Sequence, residues 1–238
     1  MAAKDDYGFS VIYEDDELFV VDKPAGMLAV PIPGSSVLNM LDLVKEYFEE
    51  SAYTDANTAH RIDRYTSGLM VFAKTGEAYR HLFEQFKNHQ PKRSYLAVVR
   101  GIVKPDRGEL NHHLKLIKEG FRNIVVDEEH PDATPARLTY NVMERFLSTS
   151  LVQVNLDTGL KNQIRVQFNA IGHRLVGDRH YAPEEKNEQL INRQALHAWQ
   201  IAIKHPVSGE EMQFTADLPA DMLRLLDHYR WERDMLNL

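Results

Sequence analysis

One short stretch of the sequence crowds an acidic side chain between two arginines. Asp63 lies between Arg61 and Arg64, and His60 precedes them, in the run His-Arg-Ile-Asp-Arg. Nearby positive charge favours the ionised form of a carboxyl group, so we expect Asp63 to be a carboxylate at neutral pH. An ionised carboxylate is suited to act as a nucleophile rather than as a proton donor. Arg61 and Arg64 carry more positive charge than Asp63 cancels, so the stretch predicts an anionic ligand such as a phosphodiester.

Two other interpretations compete for this stretch. A salt-bridged turn at the entrance of a strand would also place Asp63 beside arginines, and spacing alone does not separate it from a catalytic site. The order His-Arg-x-Asp is similar to the catalytic loop of protein kinases, but there the Asp follows the Arg directly. No glycine-rich phosphate loop precedes the stretch here, so the kinase interpretation fails.

The neighbouring sequence predicts the elements that must position Asp63. Leu69–Ala73 is an unbroken apolar run and predicts a buried strand directly after it. Upstream, Phe9–Tyr13 and Leu18–Lys23 flank an acidic turn and predict a hairpin, followed by a loop at Pro24 and Gly26. Alternation predicts further strands within 108–124, 138–142 and 152–156. Helical spacing predicts four helices with an apolar face, the second of them capped by Thr75. The apolar residues of the four faces are Leu38, Leu41, Val44 and Phe48; Tyr79, Leu82, Phe83 and Phe86; Ile164, Phe168 and Ile171; and Leu223, Leu226 and Tyr229.

The distribution of charge favours a polyanionic partner although the formal net charge is −7. Residues 1–59 hold 3 Lys and Arg against 12 Asp and Glu, whereas residues 60–122 hold 13 against 6. The field that a polyanion meets is set by such patches and not by the total. The basic segment begins at the stretch that contains Asp63, so the predicted anionic ligand and the predicted nucleophile coincide in sequence.

Composition excludes several classes of protein. The 238 residues are 43% hydrophobic, enough to bury a core in one large or two small domains. There is no cysteine, which excludes disulfides and thiolate metal sites. His112 and His113 would point to opposite faces of a strand, so no metal site is predicted. Without a signal-peptide core or a run of membrane-spanning length, a soluble cytoplasmic protein that does not enter a membrane is expected.

The stretch from His60 to Leu69 resembles the signature of the RluA family of RNA pseudouridine synthases. That pattern is His-Arg-Leu-Asp-Arg-x-Thr-Ser-Gly-Leu, and here only Ile62 departs from it. Other family motifs follow in the expected order between about residues 9 and 209. They include Asp22-Lys-Pro-Ala-Gly, where relatives have Asn first, and the stretch Lys92–Gly101, which resembles the family's Lys-x-Tyr-x-Ala-x-Val-x-Gly motif around Tyr95. The resemblance thus covers most of the chain. Because its first motif begins at about residue 9, the resemblance implies a catalytic unit without the small RNA-binding domain that many relatives carry before this motif.

The resemblance implies a role for each motif residue. Asp63 would be the catalytic residue, Tyr95 would stack on the target base and move a proton, and Arg165 would pair with Asp63. Arg61 would fill the gap that the flipped base leaves. The remaining residues predicted to contact the substrate are His60, Arg64, Gln163 and Leu196, with Leu196 as the apolar floor under the base. Whether Asp63 attacks the anomeric carbon or takes a proton from the 2′ position stays open.

The resemblance also implies the fold, the cofactor and the partner. The fold would be α+β, a mixed and mostly antiparallel central sheet flanked by helices with a catalytic cleft across it, in a single domain over residues 1–238 with a C-terminal helix at about 218–236. An isomerisation without redox change needs no cofactor. The partner would be ribosomal RNA, transfer RNA or both, bound by a monomer.

Two departures from the family pattern leave room for two rival functions. Relatives read Thr-Gly-Arg-x-His-Gln-Ile-Arg where this chain has Leu160 and Asn162 in place of the Arg and the His. An RNA-binding protein of the same fold with little or no activity is one rival and predicts binding without product. A hydrolase that uses Asp63 and His60 is the other and predicts free uracil or a cleaved strand, but no second carboxylate forms a recognisable pair with Asp63.

Overall fold

The computed structural model describes residues 7–48, 56–118, 122–183 and 188–236. The contacts between residues divide the chain into two compact units. The first unit consists of the residues up to Arg93 together with Ala198–Asp217. The second consists of Ser94–His197 together with the residues from Leu218 onward. In chain order the elements are β1 (Ser10–Glu14), β2 (Leu18–Lys23), α1 (Met40–Tyr47), β3 (Ser67–Ala73), α2 (Gly76–Lys87), β4 (Lys92–Arg100), β5 (Arg107–Ile117), β6 (Arg122–Val126), β7 (Thr134–Arg145), β8 (Thr149–Leu156), α3 (Gln163–Ala170), β9 (Leu196–Lys204), β10 (Glu211–Thr215) and α4 (Ala220–Leu236).

The first unit orders its strands as β1, β2, β3, β9 and β10. The pairs β1/β2, β2/β3 and β9/β10 are antiparallel, which confirms the predicted hairpin and the predicted strand after Asp63. Every residue of β3 is buried. Leu18 and Val20 of β2 join a core cluster with Leu82 of α2, whereas Phe19 contacts Tyr47 and Phe48 at the end of α1. Helices thus cover both faces of β2, which explains why its sequence is apolar without alternation.

Side-chain caps set where the two helices of this unit begin. Thr75 accepts a hydrogen bond from the Ala78 amide at 3.1 Å, which confirms the predicted cap of α2. Asn39 accepts one from the Asp42 amide at 3.1 Å and begins α1. The prediction that Leu38 lies on the apolar face of this helix was wrong: it precedes the cap and is 55% exposed.

The second unit orders its strands as β4, β8, β7, β5 and β6. The pairs β8/β7, β7/β5 and β5/β6 are antiparallel, so the predicted strand pair within 108–124 is confirmed. Leu114 and Ala136 form a small core cluster with Val166 of α3, and Leu160 and Tyr181 pack against it. In α4, Leu226 and Tyr229 are buried as predicted.

The architecture agrees with the predicted fold class. Strands in both units pair mainly antiparallel, and helices accompany them, so the chain is α+β with a mostly antiparallel sheet. None of the helices in the described ranges is long and apolar enough to span a membrane. The single domain over residues 1–238 stays a prediction.

Candidate active site

Asp63 lies in a tight turn directly before β3. The Thr66 amide donates to the Asp63 carbonyl at 3.0 Å, which closes a four-residue turn. Ile62 and Thr66 are buried on either side, Asp63 is half-buried, and Arg64 is exposed. The turn is therefore anchored by its buried neighbours while the acidic side chain stays accessible.

The loop after β2 holds this turn in place. Lys23 is fully buried, and its Nζ donates to the carbonyls of Pro24 at 2.8 Å, Met27 at 2.9 Å and Arg64 at 3.1 Å. The Gly26 amide also donates to the Arg64 carbonyl at 2.8 Å, and Arg64 Nε donates to the Gly26 carbonyl at 2.7 Å. The first sequence motif thus braces the signature turn across about 40 residues of sequence, a role for Lys23 that no local pattern predicted.

His60 is committed to the fold of the first unit. Its Nε2 accepts a hydrogen bond from the Val71 amide at 2.9 Å, and its ring stacks on Phe86 with 4.5 Å between centroids. Burial, with a smaller contribution from Arg93, lowers the pKa of His60 from its usual 6.5 to about 3. The imidazole is therefore neutral at physiological pH and already uses one ring nitrogen as an acceptor.

This environment weighs against the hydrolase rival. A general base works best with a pKa near the operating pH and needs a nitrogen that faces the proton it removes. His60 has a pKa of about 3, far below neutrality, and its Nε2 faces a backbone amide in β3. Its predicted contact with the substrate stays a prediction.

Arg165 is held by a buried carboxylate that the sequence did not predict as its partner. Arg165 Nε lies 2.7 Å from Oδ2 of Asp178, and Nη2 lies 2.8 Å from Oδ1. Asp178 also accepts from the amides of His180 and Tyr181 at 3.0 and 3.2 Å, and the Tyr181 ring lies 5.2 Å from the guanidinium. The spacing of Arg165 and Asp178 in the sequence gives no sign of this pairing.

The charge of Arg165 keeps the Asp178 carboxyl ionised at neutral pH. Burial by itself would raise the pKa of the Asp178 carboxyl, but the hydrogen bonds and charge of Arg165 outweigh that effect and lower it below its ordinary value. A bidentate pair fixes the plane of the guanidinium as well as its position. Arg165 is therefore preorganised within its own unit.

Tyr95 and Leu196 are both buried in the second unit. Tyr95 lies in β4, and Leu196 is the first residue of β9. The Leu196 carbonyl accepts from Nη1 of Arg193 at 3.1 Å, and Arg193 is itself bound at both ends of the Asp221 carboxylate, at 2.7 and 2.9 Å. This partly buried ion pair fixes the backbone at Leu196, a role for Arg193 that the sequence did not predict.

Gln163 forms hydrogen bonds within the protein through both its side-chain oxygen and its side-chain nitrogen. Its Oε1 accepts from Thr158 Oγ1 at 2.9 Å and from the Leu160 amide at 3.0 Å, and its Nε2 donates to the Arg137 carbonyl at 3.0 Å. The side chain thus ties the loop before α3 to β7. The structure thus shows Gln163 supporting that loop, and its predicted contact with the substrate stays a prediction.

The two departures from the family pattern lie in this same loop. Leu160 packs against the Leu114, Ala136 and Val166 cluster. Asn162 has φ of +55°, in the left-handed region where Asn is among the better tolerated residues. Both substitutions thus suit their local structure and leave Asp63 and Arg165 unchanged.

The structure distributes the predicted site residues over the two units. The first unit brings together His60, Arg61, Asp63 and Arg64 at the start of β3, and the second holds Tyr95, Gln163, Arg165 and Leu196. In the described part of the chain, no three His, Asp or Glu side chains are grouped as ligands of a metal ion. The chemistry available in the first unit is that of a half-buried carboxylate on a braced turn, with exposed arginines beside it.

Comparisons with known proteins agree with this arrangement. A family model described as RNA pseudouridylate synthase matches residues 17–170. The chain is 34% identical over 224 residues to an uncharacterized RNA pseudouridine synthase, YlyB, of Bacillus subtilis, covering 92% of this chain and 72% of the relative. It is 35% identical over 237 residues to ribosomal large subunit pseudouridine synthase D of Nitrosomonas europaea, covering 92% and 65%.

Solved structures show the same fold. The chain is similar to human RNA pseudouridylate synthase domain containing 4, with a TM-score of 0.76, 21% identity and 93% of each chain covered. It is also similar to human RNA pseudouridylate synthase domain containing 1, with a TM-score of 0.70, 21% identity, and 97% and 98% of the two chains covered.

Proposed function

The chain belongs to the RNA pseudouridylate synthase family, and we propose that it converts specific uridines of large-subunit ribosomal RNA to pseudouridine. Relatives named as ribosomal large subunit pseudouridine synthases, at 35% identity, support this choice of RNA. The basic segment 60–122 independently supports an RNA partner of either class, because a phosphate backbone is drawn to concentrated positive charge. Transfer RNA is the second substrate class to be tested.

The reaction is an isomerisation that leaves the composition of the RNA unchanged. The bond between N1 of uracil and C1′ of ribose breaks, the detached uracil turns, and C5 bonds to C1′. One proton leaves C5 and one is added at N1, so no oxidant, reductant or group donor is required. A catalyst must therefore stabilise the opened sugar, hold the free base and move a proton.

The braced turn at Asp63 is the observation that carries the proposal. Its backbone is held by the hydrogen bonds from Lys23 and Gly26 to the Arg64 carbonyl. A carboxylate carried on a backbone held in this way can be presented for attack at C1′ or for removal of the 2′ proton. Both routes use the same side chain.

Further roles are proposed from the family resemblance. Arg61, which is exposed, takes the place of the extruded base. Tyr95 stacks on the uracil and moves a proton, and Leu196 packs below it. Arg165 stabilises the charge of Asp63, and Asp178 holds Arg165 in the orientation that this requires. The protein works as a monomer in the cytoplasm, with RNA as its partner and no cofactor.

Release of tritium tests the proposal directly. Purified protein is incubated with large-subunit ribosomal RNA transcripts, and separately with transfer RNA transcripts, that carry tritium at C5 of uridine. Bonding of C5 to C1′ expels that tritium to water. We expect release from ribosomal RNA with wild-type protein and none with Asp63→Asn, which is isosteric. Asp106→Asn is the matched control, since that carboxyl is 86% exposed, and it should leave release unchanged.

The outcomes separate the rivals. Tritium release together with a carbodiimide-dependent reverse-transcription stop identifies pseudouridine and its position. RNA binding without release would support the inactive rival, and free uracil without pseudouridine would support the hydrolase. Release from transfer RNA alone would contradict the proposed substrate but not the reaction.

A further inference from the structure

An exposed aromatic side chain stands two residues after Asp63. Tyr65 is 47% exposed, and the Arg64 guanidinium lies 5.4 Å from the centre of its ring. The family pattern has no fixed residue at this position, so the pattern assigns the tyrosine no role, and it has none among those assigned above. Burial of its ring does not explain it, because nearly half of the side chain faces solvent.

The backbone that carries Tyr65 is fixed on both sides. On one side the Arg64 carbonyl accepts from Lys23 and Gly26, and on the other the Thr66 amide donates to the Asp63 carbonyl. Arg64 Nε is bound to the Gly26 carbonyl, which holds the guanidinium beside the ring. Tyr65 and Arg64 are thus presented together on a rigid turn, and a preorganised contact loses little entropy when it binds.

The position of this pair restricts what it can contact. Two trans peptide units separate the Cα atoms of Asp63 and Tyr65, so these lie within about 7.6 Å of one another. A nucleotide whose ribose reacts at Asp63 therefore has its neighbours in the strand near Tyr65. Extrusion of the target leaves each neighbouring base without a stacking partner on one side, and RNA bases in loops and single strands stack on tyrosine rings and arginine planes. Arg61 and Arg64 provide positive charge for the adjoining phosphates.

We propose that Tyr65, supported by the Arg64 guanidinium, stacks on an unpaired RNA base next to the target uridine. The inference rests on the proposed function, because it places that base relative to the reacting nucleotide. A ring at this position strengthens binding of RNA and favours sites whose flanking base can leave its helix.

The first test measures KM for the ribosomal RNA transcript by tritium release. Tyr65→Ala should raise KM by about 5- to 150-fold, the ratio expected for loss of one stacked base, with a smaller effect on kcat. Tyr65→Phe keeps the ring and should restore most of the binding. Phe83→Ala is the matched control, because Phe83 is 45% exposed in the same unit but lies in α2, and it should leave KM unchanged.

Three results would overturn the inference. KM could be unaffected by Tyr65→Ala, or Tyr65→Phe could be as defective as Tyr65→Ala, which would assign the effect to the hydroxyl and not to the ring. An equal rise in KM with Phe83→Ala would show that the effect is not specific to this turn.

A second measurement keeps the inference testable if the proposed function fails. Transcripts with 5-iodouridine are irradiated in complex with wild-type protein, so that the C5–iodine bond breaks, C5 bonds to a stacked ring and HI is lost. Trypsin then releases the peptide Tyr65–Lys74, with the tyrosine at its N-terminus. RNA crosslinked to Tyr65 supports stacking even without turnover, whereas crosslinks only elsewhere contradict it. Absence of tritium release from wild-type protein would refute the function alone.

Discussion

Both nitrogens on one edge of the Arg165 guanidinium face both carboxylate oxygens of Asp178, at 2.7 and 2.8 Å, in a site where neither side chain is exposed by as much as a tenth. Thirteen residues separate the two along the chain, and α3 carries the arginine. The pair holds the Arg165 guanidinium in one orientation, and hydrogen bonds from the amides of His180 and Tyr181 hold the Asp178 carboxylate in the same way.

We predict that Asp178→Asn impairs turnover more than binding. The substitution keeps the shape but removes the negative charge that faces Arg165 in a buried site. A misplacement of the arginine by about 1 Å is expected to lower kcat by about 100-fold with little change in KM. Single-turnover tritium release and RNA binding would be measured in parallel, and equal losses in both would contradict a positioning role.

The same variant should be less stable. Removal of one partner from a buried ion pair typically costs about 3–5 kcal/mol. The matched control is Asp106→Asn, which breaks an exposed pair with Arg145 and should cost no more than about 1 kcal/mol. Urea unfolding of both variants at pH 7 would make the comparison, and similar losses would contradict the importance of burial.

The neutral imidazole of His60 should make stability fall in mild acid. Its pKa is about 3 in the folded protein and near 6.5 when unfolded, so below pH 6.5 the unfolded chain binds a proton that the folded one does not. Stability from this residue is complete above pH 6.5 and is lost toward pH 3, by up to about 1.4 kcal/mol per pH unit. His60→Gln, which keeps an acceptor for the Val71 amide but does not titrate, should unfold with a shallower pH dependence. Identical slopes for the two proteins between pH 7 and 5 would contradict the assignment.

Asp22 should destabilise the protein at neutral pH. It stands where relatives have Asn, and burial raises the pKa of its carboxyl, an effect that the Gly68 amide and Lys23 oppose only in part. A raised pKa in the folded state means that stability falls as the pH rises through the acidic range and stays lower above it. Asp22→Asn should therefore raise Tm at pH 7, with the difference closing toward pH 4.

A second variant controls for the hydrogen bond at Asp22. Asp22→Ala removes the charge and also the acceptor that faces the Gly68 amide, so it should melt below Asp22→Asn. A Tm of Asp22→Asn below wild type at pH 7 would show that the charge stabilises the fold.

Gly68 cannot be replaced without moving β9. Its φ is +112°, and a Cβ would lie 2.3 Å from the Ala198 carbonyl oxygen and 2.7 Å from its nitrogen. Gly68→Ala should cost at least about 2 kcal/mol, because strain and overlap add. Gly172→Ala is the control, since its φ is +79° with no atom within 4 Å, and it should cost only about 1–2 kcal/mol. Equal losses in thermal unfolding would assign the effect to φ alone.

Local pattern was sufficient for much of the fold. Apolar runs and caps predicted β2, β3 and the start of α2 correctly, because burial and first-turn hydrogen bonds are decided within a few residues. Leu38 was wrongly predicted to lie within the first helix. The Asn39 side chain accepts a hydrogen bond from the Asp42 amide and so caps the helix after Leu38. Leu223 and Phe83 fit the helical period but are exposed. Periodicity predicts which side of a helix is apolar, but it does not predict how much of that side the rest of the protein covers.

Residue types and short spacings were enough to identify the family, to predict Asp63 as the catalytic residue and to predict the secondary structure around it. The bond from Lys23 to Arg64, the bond from Val71 to His60 and the pairing of Asp178 with Arg165 became visible only in the folded chain. Each of these contacts joins residues that lie 11 to 41 positions apart. Such partners are selected by packing between elements, and a hydrogen bond across that distance leaves no period in the sequence.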